Sequence, residues 1–384
     1  MRYRVTCLTP VLVGDGKRLS PIDYMVWKDQ VNVLDQSRIF RLLARGPRLD
    51  GYLAQLKRAD RLDFASWGGF AQNFADRRIP FEHPSCSAHW ERSRVENLQI
   101  PTFAAGPQGR YLPGSALRGA LRTGLVFAGL KDGSLDKVAA LFQGERPPRR
   151  PAESLEEQAL GAGGGNRMRV VQASDSEPIA PSCLKVYLLR VASLGARGRG
   201  ESFALGWKQS PKGTADGSKP AEGSALFAEM AAPGTVFEGA WHETEFFKQP
   251  AVSRGLNWRE PLTLEALCEA ANQYAAAQLE SHARFTESTG LSLVRKDLER
   301  LSGRLGEARE SGRACLVCLG WGGGVLAHVA WLKTDDPAYR EIITQGKFFR
   351  GVYPGFPFPK TRRIVFLEDR PATLPGWALF EVAT

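Results

Sequence analysis

Four places in the 384-residue sequence put glycine, hydroxyl, guanidinium or indole groups where they could hold a polyanion. The first is Pro10-Val11-Leu12-Val13-Gly14-Asp15-Gly16-Lys17, where Gly14 and Gly16 let backbone approach a ligand and Lys17 brings a cation alongside. The second is Leu112-Pro113-Gly114-Ser115, running into Arg118 and Arg122. Unpaired amides at a helix start and the helix dipole favour an anion at Gly114–Ser115. Four residues apart, Arg118 and Arg122 share a face and can meet successive phosphates without reading sequence. The third is Gly320-Trp321-Gly322-Gly323-Gly324, whose missing Cβ atoms let amides face a ligand while Trp321 offers a stacking surface. The fourth, Pro359-Lys360-Thr361-Arg362-Arg363, is a basic run held extended by proline and suited to a phosphate backbone. Each has a plainer alternative: a capped helix with solvated arginines, a tight turn, or a strand edge guarded by charge.

Nothing in the sequence announces catalysis. The histidines His83, His89, His242, His282 and His328 have no neighbouring serine or cysteine pattern of a nucleophilic mechanism, and His282 falls on an apolar helical stripe. Asp15 and Asp23 are the carboxylates near the first loop, and neither is assigned a role. The glycine loop lacks the Gly-Lys-Ser/Thr ending of a phosphate-binding loop and the acidic residue of a dinucleotide fingerprint, so no cofactor is expected. His83, Cys86 and His89 give only three potential ligands, and Cys315 and Cys318 lie in an apolar run, so no metal site is expected.

The elements that must position these groups follow from periodicity. Residues Arg2 to Thr9 alternate like a core strand. Ser37 is the expected cap of a helix through Leu43, ended by Gly46-Pro47, and a second helix covers Tyr52 to Leu62. Ser115 is the expected cap of a helix whose Leu117, Leu121 and Leu125 share one face. Strands are expected at Arg167–Ala173, Leu184–Leu189, Thr235–Trp241 and Cys315–Leu319, with helices between residues 263 and 309. Two stretches rich in Gly, Pro and charge, about 144–165 and 195–223, read as insertions, the first of them mobile. The pattern is α+β with antiparallel sheets, on ferredoxin-like or RRM-like modules, in two halves, 1–182 and 183–384.

Composition narrows the class. Lysine and arginine number 51 against 41 acidic residues, a net charge of +10 that favours a polyanionic partner. No apolar run is long enough to cross a membrane, the start lacks a secretory signal, and six dispersed cysteines form no disulfide framework; a cytoplasmic protein is expected.

Taken in order, Val13-Gly14-Asp15-Gly16, the Leu112–Gly119 helix start, Pro233-Gly234-Thr235-Val236-Phe237 and Leu319–Gly324 resemble the motifs of CRISPR RAMP proteins. Ala173-Ser174-Asp175-Ser176-Glu177-Pro178 and Pro359–Arg363 are similar to the terminal subunit of the type III-A Csm complex in particular. The resemblance implies a RAMP fold, contact with guide RNA (crRNA) near its 3′ end, and assembly beside Csm backbone and small helical subunits. Target RNA would be met indirectly, and cellular nucleases that trim the guide are further candidate partners. It also implies that Ser115, Arg118, Arg122 and Trp321 lie near RNA. Two alternatives stay open: a RAMP-fold endoribonuclease processing the guide precursor, and a related subunit of a Cmr complex. The histidine site of the processing nucleases is missing, since no histidine precedes His83.

Overall fold

Residues Arg2–Cys7 form β1, in which Tyr3, Val5 and Cys7 are buried while Arg2 and Arg4 face water and pair with Glu177 and Glu238. The period of two that marks a half-buried strand is therefore realised. The computed structural model describes residues 1–44, 46–58, 71–144, 149–197, 202–258, 260–347 and 358–383. In it, β1 is the middle strand of an antiparallel sheet ordered β15 (Ala314–Cys318), β18 (Trp377–Ala383), β1, β14 (Val236–Glu243), β9 (Val171–Ala173).

The second sheet is built on β10 (Leu184–Arg197). Along one edge β10 pairs first with β13 (Leu226–Ala231) and then with β11 (Ser202–Lys208); along the other it pairs with β16 (Thr361–Leu367). Next to β11 lies β12 (Thr214–Asp216), and next to β16 lies β17 (Arg370–Thr373). Three smaller pairings complete the strands: the meander β3 (Tyr24–Trp27), β4 (Gln30–Leu34), β5 (Ala75–Pro80); β2 (Arg18–Leu19) with β6 (Ile100–Pro101); and β7 (Ala105–Gly106) with β8 (Gly109–Arg110).

Helices α4 (Gly114–Gly129) and α8 (Leu264–Thr289) pack closely because Gly124 has no side chain: a Cβ there would lie 2.8 Å from Ala271 Cα. The side chain of Thr263 caps α8, Gly290 ends it in the left-handed conformation, and α9 (Ser292–Ser311) returns along it. Alternate residues of β18 feed two cores: Ala378, Phe380 and Val382 pack with α4 and the first half of α8, Trp377 and Leu379 with α9 and the second half. Three further helices, α3 (Ser85–Arg92), α7 (Pro250–Gly255) and α10 (Pro337–Gln345), lie outside these packed pairs.

The α+β class and antiparallel sheets are as expected, and several local expectations are corrected. Helix α1 (Gln36–Leu43) is capped by the Asp35 carboxylate, which accepts from Arg38 N–H, not by Ser37; both have cap chemistry, and burying Ile39 and Leu43 selects the register. Helix α2 (Leu49–Arg58) begins before Tyr52, and residues 59–62 of the expected helix lie outside the described residues. The stretch 144–165 carries regular structure within its described residues. After α5 (Asp136–Leu141) it forms α6 (Glu153–Leu160), whose Leu155 and Leu160 are buried; residues 145–148 lie outside the described residues. The two leucines dock on different surfaces: Leu160 joins the core that includes Leu117, Leu121 and Leu125 of α4, and Leu155 packs with α5 and α10. Within 195–223, β10 runs on, β11 and β12 extend its sheet, and Phe203, Leu205 and Trp207 cover the second core; residues 198–201 lie outside the described residues. High glycine content masked that alternation.

Candidate nucleic-acid interface

The first and third sequence loops meet. Trp321 N–H donates to the Leu12 carbonyl at 2.7 Å, and Gly320, at φ +68°, leaves no room for a Cβ against that same carbonyl. Gly376 N–H donates to Pro10 at 2.9 Å and Leu319 N–H to Gly376 at 2.7 Å, so the glycine loop clamps the exit of β1 to the turn before β18. A Cβ at Gly14 would lie 3.0 Å from the Thr102 carbonyl oxygen, while one at Gly16, at φ +86°, would face open space. Lys17 Nζ sits 2.9 Å from Asp15, and this contact holds the Asp15 carboxyl below its usual range.

The basic run joins the same place and divides there. Gly322, Gly323, Thr361, Arg362 and Arg363 line a cavity of about 300 Å³ together with His282. Contrary to expectation, Arg362 is not offered to a phosphate: it is buried, its Nε donates to His282 Nδ1 at 2.9 Å, and its Nη1 donates to the Pro359 and Thr361 carbonyls. Burial lowers Arg362 to about 9. Burial also holds the His282 imidazole well below its usual value, reinforced by the Arg362 charge. Arg363 differs. Its guanidinium lies 4.7 Å from the Trp321 ring centroid, half-buried, with Nε lacking a hydrogen-bond partner. Lys360 is half-buried beside them.

The helix-start group lies apart, and its expected chemistry is corrected. Ser115 is exposed and does not cap α4; Gly114 N–H donates instead to Asp175 Oδ1 at 2.9 Å. A carboxylate from the segment after β9 thus already takes the anion position at the helix start. No spacing rule reveals a partner 61 residues away. Arg118 and Arg122 do not point outward as a phosphate row: Arg118 Nη2 donates to the Met168 carbonyl at 3.0 Å, and Arg122 pairs with Glu156 of α6.

Sequence reasoning also missed a buried charge cluster. Glu229 on β13 is fully buried and meets Arg77 of β5 through both carboxylate oxygens, with Arg110 Nε of β8 at 3.6 Å. Desolvation lowers Arg110, countered by Glu229. Three separate strand systems are pinned through one carboxylate. Among the described residues no group of three or more His, Cys, Asp or Glu side chains is placed to hold a metal. Of the sequence candidates, His89 engages Asp369 and Arg190, His83 Nδ1 lies 2.9 Å from Ser85, and Cys315 is buried against Cys268.

No curated protein matches the chain. Among solved structures it is similar to a chain of a Csm–crRNA–target RNA ternary complex of a type III-A CRISPR-Cas system, at 22% identity and a TM-score of 0.69, covering 99% of this chain and 100% of that one. It is also similar to Csm5 of T. onnurineus, at 18% identity and a TM-score of 0.63, covering 99% and 100%. At those identities the likeness is one of fold. No described helix is long and apolar enough to cross a membrane. A family model, that of the RAMP superfamily, matches residues 4–326, from the opening strand through the glycine loop clamped to it and short of the basic run at 360–363. Spanning both loops and most of both sheets, that match means that the chain belongs to the RAMP superfamily.

Proposed function

We propose that the chain is a non-catalytic guide-RNA-binding subunit of a type III-A effector, capping the 3′ end of the guide and ending the filament of backbone subunits. The observation that carries this reading is the Trp321–Arg363 stack where the glycine loop, the exit of β1 and the basic run converge. An indole beside a half-buried guanidinium offers a base a stacking surface and a phosphate a cation, which suits sequence-independent contact with a single strand. The net charge of +10 favours a polyanion, and the end-to-end likeness to a chain of a Csm–crRNA–target RNA complex favours this assembly. Backbone and small helical Csm subunits would be its neighbours, target RNA would be met through the guide, and trimming nucleases would act at the capped end. His282 supports a non-catalytic role: it is buried, deprotonated, and its Nδ1 is already accepting from Arg362, so it is not poised as a base.

Co-expression with the remaining Csm subunits and a guide locus tests the proposal, comparing wild type with Trp321→Ala plus Arg363→Ala. Guides of heterogeneous length, or loss of this subunit from a complex whose other members persist, is the expected result. Unchanged guide length and composition would remove the stack from the RNA path.

A further inference from the structure

Away from the loops, a second cavity of about 390 Å³ opens between α3, β10 and the turn joining β11 to β12. Its deepest cation is Arg190 of β10, 2% exposed. Arg190 Nη1 donates to the Gly223 carbonyl and Nη2 lies 3.2 Å from His89 Nδ1. A guanidinium only donates, so His89 Nδ1 accepts, and the ring proton on Nε2 is donated to Asp369 at 2.6 Å. Asp369 and His89 thereby fix the plane of Arg190, while its buried Nε has no partner. Arg92, Arg94 and Lys212 stand at the exposed rim.

Among the described residues no ion pair holds Arg92, Arg94, Arg190 or Lys212, and the one carboxylate in the lining, Glu222, is paired with Lys219. Asp369 lends Arg190 a counter-charge only through His89, and Arg92, Arg94 and Lys212 have none among the described residues, so four cations around one concavity call for a compact dianion rather than a single carboxylate. No Phe, Tyr or Trp lines the cavity, and its one ring, His89, is tied at both nitrogens to Arg190 and Asp369, so the lining favours a phosphate over a stacked base. Its volume falls in the range of small-ligand sites. We propose that this cavity binds a phosphomonoester, its phosphate seated on Arg190 and closed over by Arg94 and Lys212. The site is separate from the Trp321–Arg363 stack and does not depend on the guide-RNA reading.

The test uses the full-length chain, titrated with inorganic phosphate and with 5′-AMP, read by calorimetry and thermal shift, against Arg94→Glu and Lys212→Glu. Both ligands are expected to bind wild type and to bind each variant at least tenfold more weakly, with melting in the absence of ligand unchanged. Trp321→Ala should bind phosphate like wild type, which keeps failure of this site distinct from failure of the guide-RNA site. A pair of oligoribonucleotides with and without a terminal phosphate separates the sources. Tighter binding of the phosphorylated oligomer assigns an RNA end, and equal binding assigns a free small phosphate. If phosphate, 5′-AMP and the phosphorylated oligomer all fail to bind wild type through this cavity, or bind the charge-reversed variants equally well, the proposal is overturned.

Discussion

His282 and Arg362 are a buried pair in which a neutral imidazole must accept, because the guanidinium cannot. The folded-state value of His282 lies well below 6.5, so below that pH the unfolded chain binds a proton that the folded chain refuses. Stability tied to His282 is therefore fully present above pH 6.5 and is lost on acidification, by about 1.4 kcal/mol per pH unit. His282→Gln keeps an acceptor that does not titrate. Urea denaturation between pH 6.5 and pH 5 should show a shallower loss in this variant than in wild type; equal slopes would mean the imidazole is protonated inside the fold. Gly320 is held by sterics rather than charge. Its left-handed φ and its approach to Leu12 predict that Gly320→Ala costs about 2–4 kcal/mol. Gly324, at φ +70° and ψ −163° in a region essentially reserved to glycine but with open space around it, should cost about 1–3 kcal/mol as alanine from backbone strain alone. Thermal melts of the two variants separate the packing contribution from the backbone one.

At the scale of elements, the order of α6 is an argument about which contacts hold a helix down. Leu160 is 1% exposed against α4, whereas the Arg122–Glu156 pair keeps more than a third of each side chain in water. Burial should dominate: Leu160→Ala is expected to cost about 2–5 kcal/mol, while Arg122→Ala changes stability by no more than about 1 kcal/mol. Limited proteolysis around residues 145–152 reads the same contrast, with faster cleavage in Leu160→Ala only. Legibility in the sequence followed the same division. Helices α4, α8 and α9, and strands β1 and β15, carry their periodicity locally and were readable. So were the glycine loop and the basic run as places of interest. The roles of Gly114, Arg118, Arg122 and Arg362 were not, because Asp175, Met168, Glu156 and His282 reach them across 34 to 80 residues, and Asp175 takes the capping position expected of Ser115. Local spacing reports what a side chain can do; a distant partner decides whether it is already doing it.

For the whole molecule, strand order departs from chain order. β1 lies between β14 and β18, and β9 closes the far edge, so residues on both sides of position 182 build one sheet. Glu229, from the later half, is held by Arg77 and Arg110 from the earlier half, and the charge of this carboxylate is uncompensated if they leave. The clamp at Leu12 binds the earlier half to the glycine loop in the same manner. A chain cut at residue 182 therefore exposes two strand edges where β1 had been, and strands with unpaired edges recruit other chains. The segments 1–182 and 183–384, expressed separately, should each fail to melt cooperatively and should aggregate. Co-expressed, they should co-purify, because β1 supplies the missing ladder on both its edges. Cooperative melting of either segment alone would mean that the shared sheet is an interface between two independent domains, and the loops that meet at Trp321 would then be free to separate.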